Sequence, residues 1–340
     1  MPLREDFFDN PTFRATPTKA LNDPFETDIQ QYQMENIINH WIEEGDRYSL
    51  KDTDKILKGG RESEIKYEKQ RFEEEIEKLG VISFTEDYTN LLMWAHYANE
   101  HKGIVVKISN EVSWFTNTAY HQKGHSGPRR FRYDWESIID EMPQRVIYRN
   151  DRPLFESATD VADTFDIRIL KSIIQSKGDN WIHEKEHRSI VPLENADIIY
   201  TKYTKNLITE IGSSPYVIVS KSLDNYSAPI INEKCYITFT SPNNPKHMIS
   251  DFEKTFEPKE LEEIRMNLYY HYKYNSDEAL FFYRINTMFI SEIYFGCKCS
   301  EKTVQKMVKK IRSNKVFNSN ILLKQAVISK EKYALDFVTL

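Results

Sequence analysis

Apolar residues at helical spacing first recur across residues 27–45, where Ile29, Tyr32, Ile37, Ile38 and Trp41 share one stripe and predict a helix. Residues 61–79 predict a second helix, dense in Glu, Lys and Arg, ended by Gly80 and lying on the outside. Val81–Phe84 then reads as a short strand and Asn90–His101 as an amphipathic helix. Gly103 breaks that helix before the strand Ile104–Ile108. A loop at 111–140 leads to a strand at Arg145–Tyr148 and a long helix at 153–177, with Leu154, Val161, Phe165, Ile169 and Ile173 on its buried side. Trp181–Val191 reads as a strand that Pro192 ends. Turn signals at Gly212-Ser213-Ser214-Pro215 and Pro242-Asn243-Asn244-Pro245 divide 195–250 into further strands. Residues 256–274 and 276–288 read as helical. The chain closes with a strand (Ile290–Phe295), a helix (Ser300–Arg312) and two strands (Ile321–Ile328, Tyr333–Val338).

This irregular mixture predicts an α+β fold, a small split mixed or antiparallel sheet flanked by helices. With no linker or internal repeat, the expectation is one domain over 1–340, its core in 1–110, 141–194 and 288–340 and insertions at 111–140 and 195–287. The 340 residues are 40% hydrophobic and 13% aromatic, enough apolar surface for a sizeable core. The formal charge of -6 argues against bulk binding of nucleic acid, since backbone affinity comes from clustered Lys and Arg. Two local basic patches stand out against it: Arg129, Arg130 and Arg132, and the stretch from Lys302 through Lys315, either of which reads also as a solvated face. Cys235, Cys297 and Cys299 cannot frame a disulfide scaffold or complete a zinc site and read as reduced thiols. No apolar run approaches the ~18 residues needed to span a bilayer. With no signal-peptide core visible, a cytoplasmic location and no membrane partner are expected.

Three stretches together resemble the domain-of-unknown-function family 2971. The first is Leu21-Asn22-Asp23-Pro24-Phe25-Glu26. The second is Ile82-Ser83-Phe84-Thr85-Glu86, followed by Asn90–Ala98 and His101-Lys102-Gly103. The third is Trp181-Ile182-His183-Glu184-Lys185-Glu186-His187-Arg188. A weaker match is Ile290–Gly296 with the helix and strands after it. The family's layout is similar to that of ADP-ribosyltransferase-like toxins, with an early strand–helix–strand bearing Ser, Thr and aromatic residues and a late strand bearing a Glu. The likeness implies an NAD-binding enzyme, a glycosyl transferase in chemical terms, acting as a bacterial toxin or a phage-defence effector on an acceptor the sequence does not name.

On an extended Trp181–Val191, Glu184, Glu186 and Arg188 share one face and His183, Lys185 and His187 the other. Two carboxylates about 7 Å apart, with an arginine beyond, suit NAD. Glu186 is then the catalytic carboxylate that stabilises the charge developing as nicotinamide leaves, and Glu184 its partner at the acceptor. Arg188 could pair with a carboxylate or grip a diphosphate. Tyr97 and His96, beside Trp94, are expected to line the nucleotide pocket, and Ser83 and Thr85 to hydrogen-bond the nucleotide. Asn22 and Asp23 would shape the rim. NAD enters as substrate and no metal is expected. The bland reading of these acidic residues is an exposed strand face with cross-strand salt bridges, and that of Trp94 and Met93 is core.

Two other functions fit the same sequence. A non-enzymatic interaction module of a defence system would use the insertions as binding surface for a protein partner. A zinc-dependent hydrolase would use His183, Glu184 and His187, since His183–His187 spells H-E-x-x-H; that chemistry needs both histidines on one helix.

Overall fold

The computed structural model describes residues 1–44, 48–109, 143–154, 165–212, 214–223, 227–239, 259–275, 279–285 and 287–340. The loop read at 111–140, Val161, Arg129, Arg130, Arg132 and the turn at 242–245 lie outside them. The strands are β1 (Thr12–Pro17), β2 (Leu79–Thr85), β3 (Ile104–Ile108), β4 (Gln144–Arg145), β5 (Ile147–Arg149), β6 (Ser176–Gly178) and β7 (Glu186–Pro192). After them come β8 (Ile198–Lys202), β9 (Val217–Ser220), β10 (Lys234–Phe239), β11 (Leu280–Arg284), β12 (Ile290–Phe295), β13 (Leu322–Ile328) and β14 (Leu335–Thr339). The helices are α1 (Gln31–Glu44), α2 (Leu50–Lys55), α3 (Arg61–Ile76), α4 (Leu91–Tyr97), α5 (Phe165–Ile174), α6 (Lys205–Ile211), α7 (Lys259–Asn275) and α8 (Glu301–Ser313). The fold is α+β, and its sheets are open.

The chain forms two compact units, residues 1–15, 85–126 and 193–340 in one and 16–84 and 127–192 in the other. In the first, residues 12–15 of β1 pair with β11, and an antiparallel run continues through β8, β10 and β9. A second sheet, ordered β14-β13-β12-β3, is mixed: β12 and β13 run parallel because α8 crosses between them. Trp94 and Ala98 close over Tyr294, Ala326 and Leu335, so α4 packs on this sheet as its apolar face requires.

In the second unit, α1 buries Ile37, Ile38 and Trp41 together with Met34, while Tyr32 turns outward. Trp41 stacks on Phe72 of α3 with ring centroids 6.2 Å apart. Helix α3 is less peripheral than its polar sequence suggests, because it buries Glu68, Arg71 and Glu75 as well as Ile65, Phe72 and Ile76. Arg71 pairs with Glu68 and lies over the rings of Phe72 and Trp41, which supplies the partners a buried cation needs. The sheet of this unit runs β4-β7-β2, with residues 16–17 of β1 on β2.

Two expectations are corrected. Residues 280–284 form β11 and not a helix: Phe281, Phe282 and Tyr283 are consecutive aromatics, all buried, and register between β1 and β8. Trp181–Val191 is not one strand. Asp179–Glu184 is a 3₁₀ helix, Lys185 takes a left-handed φ of 46°, and extension starts only at Glu186.

The close approach of two turns in the first unit demands glycine. A side-chain carbon at Gly296 would sit 2.0 Å from the carbonyl oxygen of His101, backbone against backbone with no rotamer to relieve it. Gly296→Ala should therefore cost about 1–3 kcal/mol or more in urea unfolding, whereas Gly212, beside open space, should tolerate a D-alanine-like geometry but resist Ala only through its φ of 62°.

Candidate functional site

The strongest concentration of chemistry in the second unit is built from three segments. The turn Leu21-Asn22-Asp23-Pro24-Phe25-Glu26 is closed by Asp23, whose Oδ1 accepts from the Phe25 amide at 3.0 Å, and whose carbonyl accepts from Glu26 at 3.1 Å. It places Glu26 inward. The short strand β6 follows α5, pairs in parallel with β5, and turns Lys177 inward. The 3₁₀ turn and β7 supply Glu184, Glu186 and Arg188, the last two on one face of the strand.

The five charged side chains converge. Lys177 Nζ lies 2.6 Å from Glu184 Oε2, 3.1 Å from Glu186 Oε2 and 3.3 Å from Glu26 Oε1. Arg188 grips Glu186 in a fork, Nε to Oε1 and Nη2 to Oε2, both at 2.9 Å. Its Nη2 also donates to Glu26 Oε2 and its Nη1 to the Ile174 carbonyl, each at 2.6 Å. Lys177, Glu184, Glu186 and Arg188 are exposed by 5%, 3%, 4% and 1%, and Glu26 by 8%. At that burial an unpaired charge would cost several kcal/mol, so the cluster exists only as a set.

Three carboxylates against two cations leave one negative charge in excess, and the cluster resolves it unequally. Burial pushes the Glu186 carboxyl up, but the charge and hydrogen bonds of Arg188, then Lys177 and a hydrogen bond from Ser83, outweigh it and hold it below the ordinary 4.5. Burial wins at Glu26, which stays above 4.5 despite Arg188 and Lys177. Its Oε1 makes no aligned hydrogen bond and meets Lys177 only as an ion pair at 3.3 Å. At Lys177 burial would lower the ammonium, but Glu186, Glu26 and the bond to Glu184 hold it above its usual range. At the margin, the Lys177 ammonium stands 4.7 Å over the Trp181 ring, and the Tyr148 hydroxyl accepts from the Glu186 amide at 2.8 Å.

The structure thus brings together Glu184, Glu186, Arg188 and Ser83, with Asp23 beside them: a side-chain carbon at Gly178 would meet Asp23 Oδ2 at 3.9 Å. Asn22 is exposed next to Asp23. Of the two roles read for Arg188, the pairing with a carboxylate is the one found. Thr85, Trp94, His96 and Tyr97 belong to the first unit. There Trp94 is 1% exposed in the core, its indole donating to the Tyr88 carbonyl at 2.7 Å, and His96 and Tyr97 lie on the exposed side of α4. Thr85 Oγ1 accepts from the Asp87 amide at 3.1 Å. His183 sits in the 3₁₀ turn and His187 on β7, so the H-E-x-x-H letters lack the shared helical face that zinc proteases use. Among the described residues, no group of three His, Cys, Asp or Glu side chains is arranged to hold a metal ion. No helix of the described residues is long and apolar enough to cross a membrane.

Sequence reasoning missed Glu26 and Lys177. Glu26 ended the first recognised stretch, and that was its only signal. Lys177 read as the last residue of a helix, and nothing local marks it as buried.

Two outcomes follow for stability. Lys177→Met leaves three buried carboxylates with one cation and should destabilise the protein by about 3–5 kcal/mol in urea titration. A carboxylate held below 4.5 stabilises the fold above that pH and ceases to as pH falls through its folded value; one held above 4.5 contributes when protonated and loses that contribution as pH rises through its folded value. Glu186→Gln should therefore lower the melting temperature at neutral pH, with the deficit shrinking in acid. Glu26→Gln should gain on the wild type as pH is raised through the carboxylate range. Equal pH profiles for the two variants would contradict this division of charge.

No curated protein and no solved structure matches the chain. A family model does, over residues 93–189, and it covers Met93–Gly103 and Trp181–Arg188 of the stretches read from the sequence, while Leu21–Glu26 and Ile290–Gly296 lie outside it. The chain carries, across residues 93–189, a region of the family described as protein of unknown function DUF2971.

Proposed function

We propose that the protein is an ADP-ribosyltransferase-like enzyme that binds NAD and acts as a toxin or antiviral-defence effector, with Glu186 as its catalytic carboxylate. One observation carries this reading: Arg188, forked on Glu186, and Lys177 at 3.1 Å hold the Glu186 carboxyl ionised, below the ordinary carboxylate range. A carboxylate that stabilises an oxocarbenium-like ribose must be ionised before the reaction begins and must not reorganise during it. The two cations meet both needs.

In this reading the bond between nicotinamide and the ribose carbon breaks, its electron pair leaves with nicotinamide, and positive charge grows on the ribose. Glu186 faces that charge. Ser83 marks the route by which substrate reaches the carboxylate, and its hydroxyl orients it. Glu184 steers the acceptor, whose attacking atom forms the new bond to the ribose carbon and releases its proton to solvent water. The aromatic Trp181, half-exposed beside Lys177, offers a ring to the nicotinamide or adenine face.

The burial of Glu184 and Glu186, with internal partners for both, favours a second reading in which the cluster is purely structural and the protein works as an interaction module. The two are separated by Ser83→Ala, a change at an exposed position that spares the ion pairs. An enzyme should lose about tenfold in nicotinamide release from NAD, the worth of one hydrogen bond to a charged group, with an unchanged melting temperature. Absence of both NAD-induced thermal stabilisation and nicotinamide release in the wild type rejects the enzymatic reading.

A further inference from the structure

Most of the basic stretch noted in the sequence, Lys302 to Arg312, lies on helix α8. Helix α8 buries Val304, Met307 and Ile311 at 3%, 0% and 2% exposure, so its apolar stripe is fully engaged within the first unit. The opposite side is cationic. Lys302, Lys306 and Lys309, at i, i+4 and i+7, are all exposed and share one face. From Lys298 through Lys315 there are seven cations (Lys298, Lys302, Lys306, Lys309, Lys310, Arg312 and Lys315) and one carboxylate, Glu301, in a chain whose net charge is -6. Lys310 pairs with Asp9, and Arg312 donates to the carbonyls of Ser319 and Ile321, both at 3.1 Å. These contacts hold the helix in place, with Lys302, Lys306 and Lys309 exposed on its outer side.

We propose that this face of α8 binds the phosphate backbone of duplex DNA without reading its sequence. The row from Lys302 to Lys309 spans about 10 Å along the helix axis. Phosphates of one strand advance about 3.4 Å along a duplex, so a rigid row of that length meets about three of them. Three features of the face select this partner. Its cations are lysines, point charges suited to phosphate and not to bidentate base readout. No aromatic side chain lies within Glu301–Ser313, so unstacked bases of a single strand find no platform. No large apolar residue of α8 is exposed, so the helix has nothing to insert into a lipid surface. The charge of the whole chain does not forbid this contact, because the field that a phosphate meets at about 10 Å is that of the local patch under physiological screening.

The test is fluorescence anisotropy of a labelled duplex of about 20 base pairs with the full chain, titrated between about 50 and about 200 mM salt. Binding is expected at the low end, with log affinity falling against log salt at a slope near −3, about −0.9 for each phosphate neutralised. Combined Lys302→Glu, Lys306→Glu and Lys309→Glu should weaken it by about tenfold or more, while the three Lys→Arg changes should preserve both binding and slope. Should charge reversal unfold the helix, the milder Lys302→Gln, Lys306→Gln and Lys309→Gln set, checked by its melting temperature, should likewise weaken binding and flatten the salt slope, and unchanged binding by that folded variant overturns the proposal. The proposal is overturned if the duplex does not bind at low salt, if the charge-reversed protein binds as the wild type does, or if anionic phospholipid vesicles capture the protein under conditions where the duplex does not.

Discussion

Two buried cations, Lys177 and Arg188, set the arrangement of the second unit. Neither can be desolvated alone, and each is tolerable only with carboxylates at hydrogen-bonding distance. That requirement fixes three segments distant in sequence. The turn at 21–26 must deliver Glu26, β6 must present Lys177, and the 3₁₀ turn must end at Glu184 before β7 begins. The left-handed residue Lys185 serves the same end: it reverses the chain between Glu184 and Glu186 so that both reach one ammonium.

The first unit depends on a constraint of a different kind. After α4, Asn99, Glu100 and His101 take φ values of 49°, 54° and 68°, a short left-handed turn that ordinary residues adopt at a cost of about 1–2 kcal/mol each. The turn offsets this by satisfying carbonyls that the end of α4 would leave open: Glu100 donates to Ala95, His101 to Trp94 and Gly103 to Ala98. Gly296 then passes under His101, and Lys298 donates to the His101 carbonyl at 3.0 Å. Strain in one loop is thus held by the backbone of another.

These two constraints explain what was legible in the sequence and what was not. Elements with a clear period were readable: α1 from Ile37, Ile38 and Trp41, α8 from Val304, Met307 and Ile311, and β3 from its run of β-branched residues. The parity of Glu186 and Arg188 on β7 was also readable, because it is local. The stretch 276–288 misled because Phe281, Phe282 and Tyr283 form an unbroken apolar run, which periodicity alone cannot assign to strand or helix. Glu26 and Lys177 were hidden for another reason. Their partners lie as far as 162 residues away, and a buried ion pair leaves no periodic trace in either segment. Net charge, summed over the whole chain, likewise conceals that α8 carries its cations on one face.

The same cluster bears on chemistry through its imbalance. With three acids to two bases, the carboxyls titrate unequally, and burial holds Glu26 above the ordinary carboxylate value despite Arg188 and Lys177. Glu186, with Arg188 forked on it, keeps the charge. Ser83, at an exposed position of β2, adds to the lowering at Glu186. The enzymatic reading turns on Glu186, the carboxyl that Arg188 and Lys177 hold below the ordinary range at 4% exposure.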